Sequence, residues 1–496
     1  MMIWLIPLLP VVFAVAGLAW RRGRPGALLR CGAIGHLGLL IYISHILSGL
    51  TRLKTMVQAD GLFYLDSLSA VFLVLIALIS SLVSIYAAHY LNREIREGTL
   101  PAAKIFEYHF WINLLAASMY LVVLTANIGL MWVAIEATTV TSVLLVAFDN
   151  QKHSLEAAWK YVLICSVGII FALIGIMLLY FSASHPVGNG IPSLDWRKLM
   201  AAAPQLNQNL IKTAFIFILI GFGTKVGFAP MHTWLPDAHS QAPTPVSAML
   251  SGVLLNCALY GIIRISTVVT ACTGVGFVNQ FWTFFGLVSL AVAVPFILIQ
   301  ADLKRLLAYS SIENMGVIAF ALGVGGKWGL YGALTQMFAH GLTKAGLFLA
   351  SGEVVHLFHS KRIHKMRGLL RSHPSLGFLF FGYLLILSGA PPFAIFFSKM
   401  TIIYGALQRK LFFPTLLFLL LILAVFGGLL YHFGQMVLGA PTARASQQKL
   451  PRGHLNKPVL ILATPVLLLA ILGLYQPTFW RHFIAAAVEI IGGGLQ

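Results

Sequence analysis

The sequence predicts an all-α polytopic membrane protein with about fourteen transmembrane helices. Three observations lead to this prediction. Of the 496 residues, 59% are hydrophobic and only 9% are charged, whereas a soluble domain has roughly 25% charged residues. Apolar runs of about 20 residues, the length that crosses a bilayer, follow one another along almost the whole chain. Two of these runs are interrupted by glycine and proline, and each of the two keeps a lysine.

The apolar runs place the predicted spans along the chain. Their approximate cores are 2–20, 27–48, 63–88, 108–125, 127–148, 157–183, 210–228, 244–269, 278–299, 304–323, 328–357, 375–407, 412–437 and 458–475. We interpret 230–241 as the second half of the interrupted seventh span. The segment 479–491 is predicted to be a short amphipathic piece at the membrane interface.

The interruptions in the seventh and twelfth spans indicate internal repeats. The seventh span breaks at Gly227 and Pro230, and the twelfth breaks at Gly389–Pro392. A proline removes a backbone donor and frees a carbonyl, which must face protein or water rather than lipid. Paired interrupted spans are typical of transporters that hold an ion site between inverted repeats.

The predicted organisation is a single membrane domain over residues 1–496. It consists of an N-terminal three-helix segment (1–100), a first five-helix repeat (105–270), a second five-helix repeat (277–438), and the last transmembrane helix with its tail (457–496). Because five spans separate the two breaks, the repeats are expected to be inverted relative to each other.

The net charge of +19 does not indicate a nucleic-acid partner, because the basic residues lie in short loops between apolar spans. Such loops set the orientation of a membrane protein. We call the side that carries Lys361, Arg362, Lys365, Arg367 and Arg371 the basic face. The positive-inside rule places this face in the cytoplasm of a cell (inner) membrane protein, and an even helix count then places both termini on the opposite side.

The cysteines give no indication of a metal or redox centre. Cys31, Cys165, Cys257 and Cys272 are scattered within or beside spans, without the spacing of metal or iron–sulfur ligands. We therefore expect no metal, no cofactor and no catalytic residues in this chain.

Ionisable residues inside the spans are few, and a charge at the bilayer centre costs roughly 2.5–3.5 kcal/mol on insertion scales. The predicted proton-translocation residues are Glu136, Lys225, His340, Lys344 and Lys399, and the secondary candidates are Lys160, Glu313, Asn256 and His239. A buried Glu–Lys pair can switch between charged and neutral forms, because desolvation moves both groups towards neutrality. Histidine can relay protons near neutral pH. The alternative interpretation is a set of structural ion pairs that hold helices together.

Three motifs carry a resemblance to a known family. They are KVGFAPMHTWLPDAHSQAPTPVSAMLSG (Lys225–Gly252), DLKRLLAYSSIENMG (Asp302–Gly316) and HGLTKAGLFLASG (His340–Gly352). With them the chain resembles the antiporter-like membrane subunits of respiratory complex I, of membrane-bound hydrogenases and of Mrp-type cation/proton antiporters. The forms DAHSQAPTPVSA and SSIENMG are most similar to the F subunit of hydrogenase-4, the formate-hydrogenlyase type.

The resemblance implies both an architecture and residue roles. It implies fourteen helices, with two inverted repeats whose seventh and twelfth helices are broken. Glu136 and Lys225 match an input pair, His340 and Lys344 match a relay, and Lys399 matches the link to the exit side. Asn256 stands where many relatives carry lysine or histidine, and an amide cannot take up a proton, so water would have to bridge that point. Lys399 stands where hydrogenase-type relatives often have glutamate.

The function that the resemblance implies is that of a proton-translocating, non-redox subunit of a multisubunit oxidoreductase, similar to a membrane-bound hydrogenase or NADH-quinone oxidoreductase. The expected partners are other antiporter-like and anchor subunits in the lipid bilayer, together with peripheral hydrogenase-like or NADH dehydrogenase-like redox subunits. One alternative is a subunit of a secondary cation/proton antiporter, or of another ion-coupled complex without electron transfer. A further alternative is a structural anchor in which the ion pairs only brace helices.

Overall fold

The computed structural model describes residues 2–20, 24–53, 57–59, 62–184, 193–440 and 456–492. The helices are α1 (Leu5–Ala19), α2 (Pro25–Leu53), α3 (Ser67–Arg96), α4 (Lys104–Leu124), α5 (Ile128–Val146), α6 (Lys152–Ser184), α7 (Trp196–Ala202), α8 (Gln208–Val226), α9 (Trp234–Gln241), α10 (Thr244–Met249), α11 (Leu255–Thr273), α12 (Val275–Ile299), α13 (Leu303–Val324), α14 (Gly326–Phe358), α15 (Leu369–Ser372), α16 (Pro374–Ser388), α17 (Ala394–Gln408), α18 (Phe412–Leu438), α19 (Asn456–Leu474) and α20 (Thr478–Ile491). Two short antiparallel strands, β1 (Val57–Ala59) and β2 (Phe63–Leu65), precede α3.

The predicted all-α membrane architecture is confirmed. In the described parts of the chain, ten helices are long and apolar enough to cross a membrane, and the number rises to twelve if each of two bent pairs is one span. The predicted spans outside this count are α1, which has 15 residues, and α14, whose 33 residues include many polar side chains. The second half of the predicted twelfth span, α17, is also outside it. The prediction of fourteen spans therefore stays a prediction.

Polar side chains set where several of the long helices begin. Asp66 accepts a hydrogen bond from the backbone nitrogen of Ser69 at 2.8 Å and so caps α3. Asn127 caps α5, and Asp302 caps α13. Such caps satisfy backbone donors that have no partner within the helix. They fix the starts of α5 and α13, which carry Glu136 and Glu313.

Both predicted breaks are present, and both have the same local structure. Between α8 and α9, Gly227 has a φ of 85°, and the Ala229–Pro230 bond that follows is cis. Between α16 and α17, Gly389 has a φ of 80°, and the Pro391–Pro392 bond is cis. Positive φ favours glycine, which has no Cβ. The matching breaks agree with the predicted repeats, whose boundaries stay a prediction.

A close contact between backbones joins the eighth predicted span to α14. α10 and α11 form one helical run that contains a π-helical turn at Leu250–Leu254. In this turn Gly252 packs against Gly341 of α14. A Cβ added to Gly341 would lie 2.7 Å from the Gly252 carbonyl oxygen. Small residues allow membrane helices to approach this closely, and π turns are frequent at functional sites.

The helices that carry polar side chains lie at the centre of the molecule. α11 and α13 are almost entirely buried, and so is most of α14. In contrast, α6, α12 and α18 expose large apolar side chains along one side. The described part of the tail is a helix, as predicted. α20 is bent by 78° from the preceding helix, and its Trp480 ring packs against Phe338 of α14 at 4.3 Å.

Candidate functional site

Glu136 and Lys225 are joined through a hydroxyl group. The Lys225 Nζ donates to Thr139 Oγ1 at 2.8 Å, and Thr139 Oγ1 donates to Glu136 Oε2 at 3.1 Å. All donors point the same way, from the amine on α8 to the carboxylate on α5. The structure therefore brings the two predicted residues together, with Thr139 between them.

An aromatic cluster surrounds the Lys225 amine. Lys225 Nζ also donates to the Tyr161 hydroxyl at 2.6 Å, and this hydroxyl lies 2.7 Å from Ser142 Oγ. The Tyr161 ring stacks on Trp234 at 4.5 Å, and the Trp234 indole donates to the Thr224 carbonyl at 2.9 Å. Because Trp234 opens α9, the second half of the broken helix is in contact with the surroundings of Lys225.

Glu136 lies near the outer surface of the chain. It is half-buried, whereas Lys225 is buried. On the same helix, Val133 and Val140 expose about half of their surfaces, at 51% and 50%. A carboxylate beside such an apolar face is expensive in lipid.

The middle of the molecule contains buried polar atoms without a partner. Both ring nitrogens of His340 and the side-chain oxygen of Asn256 have no hydrogen-bond partner among the described residues. The Asn256 amide nitrogen donates to the Gly252 carbonyl at 2.8 Å. Gly252 packs against Gly341, which is the residue after His340. Asn256 and His340 therefore belong to the two helices that meet at this contact. Buried polar groups of this kind are typically satisfied by ordered water.

Lys344 binds to α13. Its Nζ donates to the Leu307 carbonyl oxygen at 2.8 Å and to the Ser310 hydroxyl. Ser310 lies one turn before Glu313 on the same helix, at the i, i+3 spacing that brings side chains together. The predicted relay residue therefore lies beside Glu313.

Glu313, a secondary candidate, is the direct partner of Lys399. Glu313 Oε1 lies 3.5 Å from Lys399 Nζ, and both side chains are buried. The other carboxylate oxygen accepts a hydrogen bond from the side chain of Asn314. Gln336 Nε2 donates to Asn314 Oδ1 at 2.7 Å, and Gln336 Oε1 accepts from Ser398. A polar network therefore connects α13, α14 and α17 around this pair.

Lys399 also reaches back to the break in its own span. A Cβ added to Gly389 would lie 3.6 Å from Lys399 Nζ. The amine thus lies beside the interrupted backbone, although Lys399 itself belongs to α17. Lys225 likewise lies in the last turn before Gly227.

Lys160 is the candidate that lies apart from the others. Its side chain is 49% exposed and forms ion pairs with Glu156 at 2.7 Å and with Asp237 at 3.2 Å. Asp237 also pairs with Arg305 at 2.5 Å. Lys160 therefore belongs to a surface network, and the structure does not bring it into the buried row. His239 is buried on α9, and its ring stacks on Phe348 at 5.0 Å.

Four buried charged residues of the described chain were not identified as candidates from the sequence. Lys304 is buried at the start of α13. Glu353 of α14 accepts hydrogen bonds from Tyr86 at 2.6 Å and Arg93 at 2.7 Å. Arg264 pairs with Asp66 at 2.5 Å in full burial. Glu353 and Arg264 interrupt apolar runs, as the predicted residues do, so this signal was present in the sequence.

One group of three side chains has the ligand atoms of a metal site, but its contacts do not indicate a bound metal. Within the described ranges, Glu94, Glu97 and His356 bring three ligand atoms within 4.8 Å of one another. His356 Nε2 lies 3.6 Å from Glu97 Oε1, which is an ordinary ion-pair contact. Partly exposed acidic groups of this kind are common without a metal, so we assign no metal to them.

The fold and the site define a class of protein. It is a polytopic membrane protein whose central helices bury ionisable side chains on both sides of a tight helix contact, next to two broken spans. Residues 125–427 match the family described as NADH:quinone oxidoreductase/Mrp antiporter, TM, and the chain belongs to this family. Residues 55–98 match the N-terminal family of NADH-ubiquinone oxidoreductase (complex I) chain 5.

Known proteins agree with this assignment. The hydrogenase-4 component F homolog of Methylacidiphilum infernorum (isolate V4) is 40% identical over 385 residues, which cover 77% of this chain and 80% of that protein. Hydrogenase-4 component B of Escherichia coli (strain K12) is 30% identical over 356 residues, which cover 69% of this chain but 50% of that longer protein.

Solved structures show the same fold. A chain of the membrane-bound sulfane sulfur reductase (MBS), an archaeal respiratory membrane complex, matches with a TM-score of 0.87 and 22% identity, covering 99% of this chain and 97% of that chain. A chain of the Mrp complex from Dietzia sp. DQ12-45-1b matches with a TM-score of 0.80 and 19% identity, with the same coverage. At these identities the likeness concerns the fold alone.

Proposed function

We propose that this chain translocates protons as a membrane subunit of a multisubunit oxidoreductase and holds no redox centre of its own. The observation that carries the proposal is the hydrogen-bonded chain from Lys225 through Thr139 to Glu136. Electron transfer in partner subunits would supply the driving force. In response, the buried ionisable residues of this chain would change their protonation.

The first step follows from the directions of the hydrogen bonds. When the Lys225 ammonium gives a proton to Thr139, the hydroxyl gives its own proton to the Glu136 carboxylate. Lys225 and Glu136 both become neutral, and Thr139 is unchanged. Low dielectric favours neutral forms, whereas proximity favours the ion pair. A small displacement of α5 or α8 is therefore enough to shift the proton between the two residues.

The later steps use α13 and α14. His340 and Lys344 would relay the proton towards Glu313, which lies between the contacts of Lys344 and Lys399. Water would connect Lys225 to His340 past Asn256, because the amide can orient a water molecule but cannot take up a proton. Lys399 would deliver the proton to the exit beside the break at Gly389.

Partner subunits are part of the proposal. The half-buried Glu136 lies on a face of α5 whose valines are exposed, and we propose that a neighbouring membrane subunit covers it. The redox subunits would be hydrogenase-like or NADH dehydrogenase-like. We further propose that the basic face is cytoplasmic and that both termini are on the other side of the inner membrane.

The proposal is tested with the intact complex reconstituted in vesicles. Lys225→Ala should abolish proton translocation per electron transferred, because the hydrogen-bonded chain loses its donor. Lys160→Ala is the matched control, since Lys160 is a lysine of a surface network, and it should translocate as the parent does. Equal translocation in Lys225→Ala and the parent would contradict the proposal.

A second candidate function is that of a subunit of a cation/proton antiporter without electron transfer. The chain's family includes such antiporters in its description, and the buried lysines would serve both functions. In vesicles without an electron donor, dissipation of a sodium gradient by the protein would favour this candidate. If the ion pairs only brace helices, Glu136→Gln would lower the melting temperature and leave both transport activities intact.

A further inference from the structure

Two lysines bind the C-terminal end of α9, and one of them is buried. Lys304 Nζ donates to the Ala242 carbonyl oxygen at 2.9 Å. Lys361 Nζ donates to the Ser240 carbonyl oxygen at 2.7 Å. Cations are favourable at helix C-termini, so both contacts stabilise α9. Lys361 is half-buried on the basic face, whereas Lys304 is buried beneath it.

His239 lies next to this helix end, inside the protein. Its side chain is fully buried, and neither ring nitrogen has a hydrogen-bond partner in the part of the chain that the structure describes. Its ring stacks on Phe348 at 5.0 Å, and Phe348 lies one turn after Lys344 on α14. Ala242, whose carbonyl oxygen binds Lys304, follows His239 by three residues at the end of α9. His239 is therefore connected to Lys304 through the end of α9 and to Lys344 through Phe348.

Helix capping alone does not account for these residues. Removing an ammonium from water is energetically costly, and Lys361 already supplies a cation to this helix end from the surface. A buried polar group left without a partner is destabilising as well. A buried imidazole whose ring nitrogens have no hydrogen-bond partner among the described residues, and which these contacts connect to two buried amines, is an arrangement that suits a proton relay.

We infer that Lys304 and His239 form a proton-uptake branch that leads from the basic face to Lys344. This inference rests on the proposed function. The neutral Lys304 amine takes a proton from a hydronium ion at the basic face and leaves a water molecule. A His239 ring nitrogen accepts that proton, which returns Lys304 to the amine. The other ring nitrogen releases a proton to the neutral amine of Lys344, so His239 ends neutral as well.

The branch is connected mechanically to the Lys225 site. His239 lies near one end of α9, which has eight residues and is thus about 12 Å long. Trp234, at the other end, stacks on Tyr161, the hydrogen-bond partner of Lys225. A displacement of this half-helix would change both environments together. Uptake at Lys304 would then be coupled to the state of the Lys225 pair.

The test compares Lys304→Arg with Lys361→Arg in the intact complex reconstituted in vesicles. Arginine keeps the charge and the contact with the helix end but does not release a proton, since its pKa is about 12.5–13.8. Lys304→Arg should lower the number of protons moved per electron at least fivefold. Lys361→Arg should stay within twofold of the parent. If the number of protons moved per electron is unchanged in Lys304→Arg, Lys304 only caps the helix, and the inference is overturned.

A second variant keeps the inference testable if Lys304→Arg misfolds. His239→Gln keeps a donor and an acceptor but removes the titratable ring, and it should lower the same ratio at least fivefold. Assembly and melting temperature are measured for each variant, and His239→Gln decides if Lys304→Arg does not assemble. An unchanged ratio in His239→Gln would overturn the inference. If Lys225→Ala loses translocation while Lys304→Arg and His239→Gln keep it, the branch is wrong and the proposed function stands. If Lys225→Ala translocates as the parent does, the proposed function itself fails.

Discussion

Glu313 and Lys399 form an ion pair inside the protein, with 3.5 Å between Oε1 and Nζ. A buried carboxylate needs such a partner, because an isolated charge is strongly disfavoured at low dielectric. Glu313 has a second amine nearby, since Lys344 binds Ser310 one turn earlier on α13. The carboxylate thus pairs with the amine of α17 and lies one turn from the hydroxyl that binds the amine of α14. In the proposed function, this is where the relay and the exit would meet.

We predict that Glu313→Gln uncouples electron transfer from proton translocation. The amide keeps the shape of the side chain but cannot carry a proton between the two lysines. Protons moved per electron should fall at least tenfold, as measured in vesicles by the initial rate of acidification. Glu156→Gln is the matched control, because Glu156 pairs with a lysine at the surface, and it should leave the ratio unchanged.

An opposite outcome for Glu313→Gln would change the assignment. If the variant translocates normally but melts at a lower temperature, the pair with Lys399 is structural. Breaking a buried ion pair by removing one partner costs about 3–5 kcal/mol, so such a loss would be readily measured.

Thr139→Val tests the bridge between Lys225 and Glu136. Valine has nearly the same shape but no hydroxyl, so it removes one acceptor and one donor from the hydrogen-bonded chain. Hydrogen bonds to charged groups contribute about 1.5–3 kcal/mol, and a barrier raised by that amount slows transfer roughly ten- to a hundredfold. The rate of proton translocation at saturating electron donor measures this effect.

Thr138→Val is the control for that variant. Thr138 immediately precedes Thr139 and is equally buried, and its hydroxyl donates to the Ile135 carbonyl in its own helix. It should translocate at nearly the parental rate. Equal rates for the two valine variants would show that Thr139 is not part of the path.

Charge burial explains how much of the site could be predicted from the sequence. Glu136, Lys225, His340, Lys344 and Lys399 interrupt apolar runs, and the energetic cost of a charge in lipid makes such residues visible without a structure. The two breaks were equally visible, because glycine and proline interrupt helices. The all-α architecture followed from run lengths alone.

The partners of these residues could not be predicted in the same way. Thr139 was one of several hydroxyls on α5, and only the packing of α8 against it selects this one. Sequence spacing gives no distance between helices, so the pairing of Glu313 with Lys399 was missed. Lys160 and Lys304 both lie near helix ends, where a long side chain can turn either to water or inward. The structure leaves the Lys160 side chain half exposed and buries that of Lys304.

Arg264→Met should destabilise the protein without being needed for translocation. Arg264 pairs with Asp66 in full burial and holds α11 to α3, and its loss would leave the Asp66 carboxylate uncompensated. We expect a loss of about 3–5 kcal/mol, seen as a lower melting temperature of the purified protein. Lys104→Met breaks a surface pair with Glu107 and should cost about 0–1 kcal/mol. Equal melting temperatures for both variants would contradict this role.

The contact between Gly252 and Gly341 gives the last prediction, because it joins the two helices that carry Asn256 and His340. In Gly341→Ala the new Cβ would lie 2.7 Å from the Gly252 carbonyl oxygen and 2.9 Å from the Leu75 side chain, so α14 must move away from the π turn. Overpacking of this kind costs about 1–3 kcal/mol. The same movement would widen the gap that water has to bridge, so both the melting temperature and the protons moved per electron should fall.

Gly434→Ala separates this effect from that of alanine itself. Gly434 lies within α18, and a Cβ added there meets nothing within 4 Å. Alanine favours a helix over glycine by about 1 kcal/mol, so this variant should melt at the same or a higher temperature and translocate normally. If Gly341→Ala also translocates normally while melting lower, the glycine contact serves only packing. The proton must then pass from Lys225 to Lys344 by a route that does not depend on the spacing between Asn256 and His340.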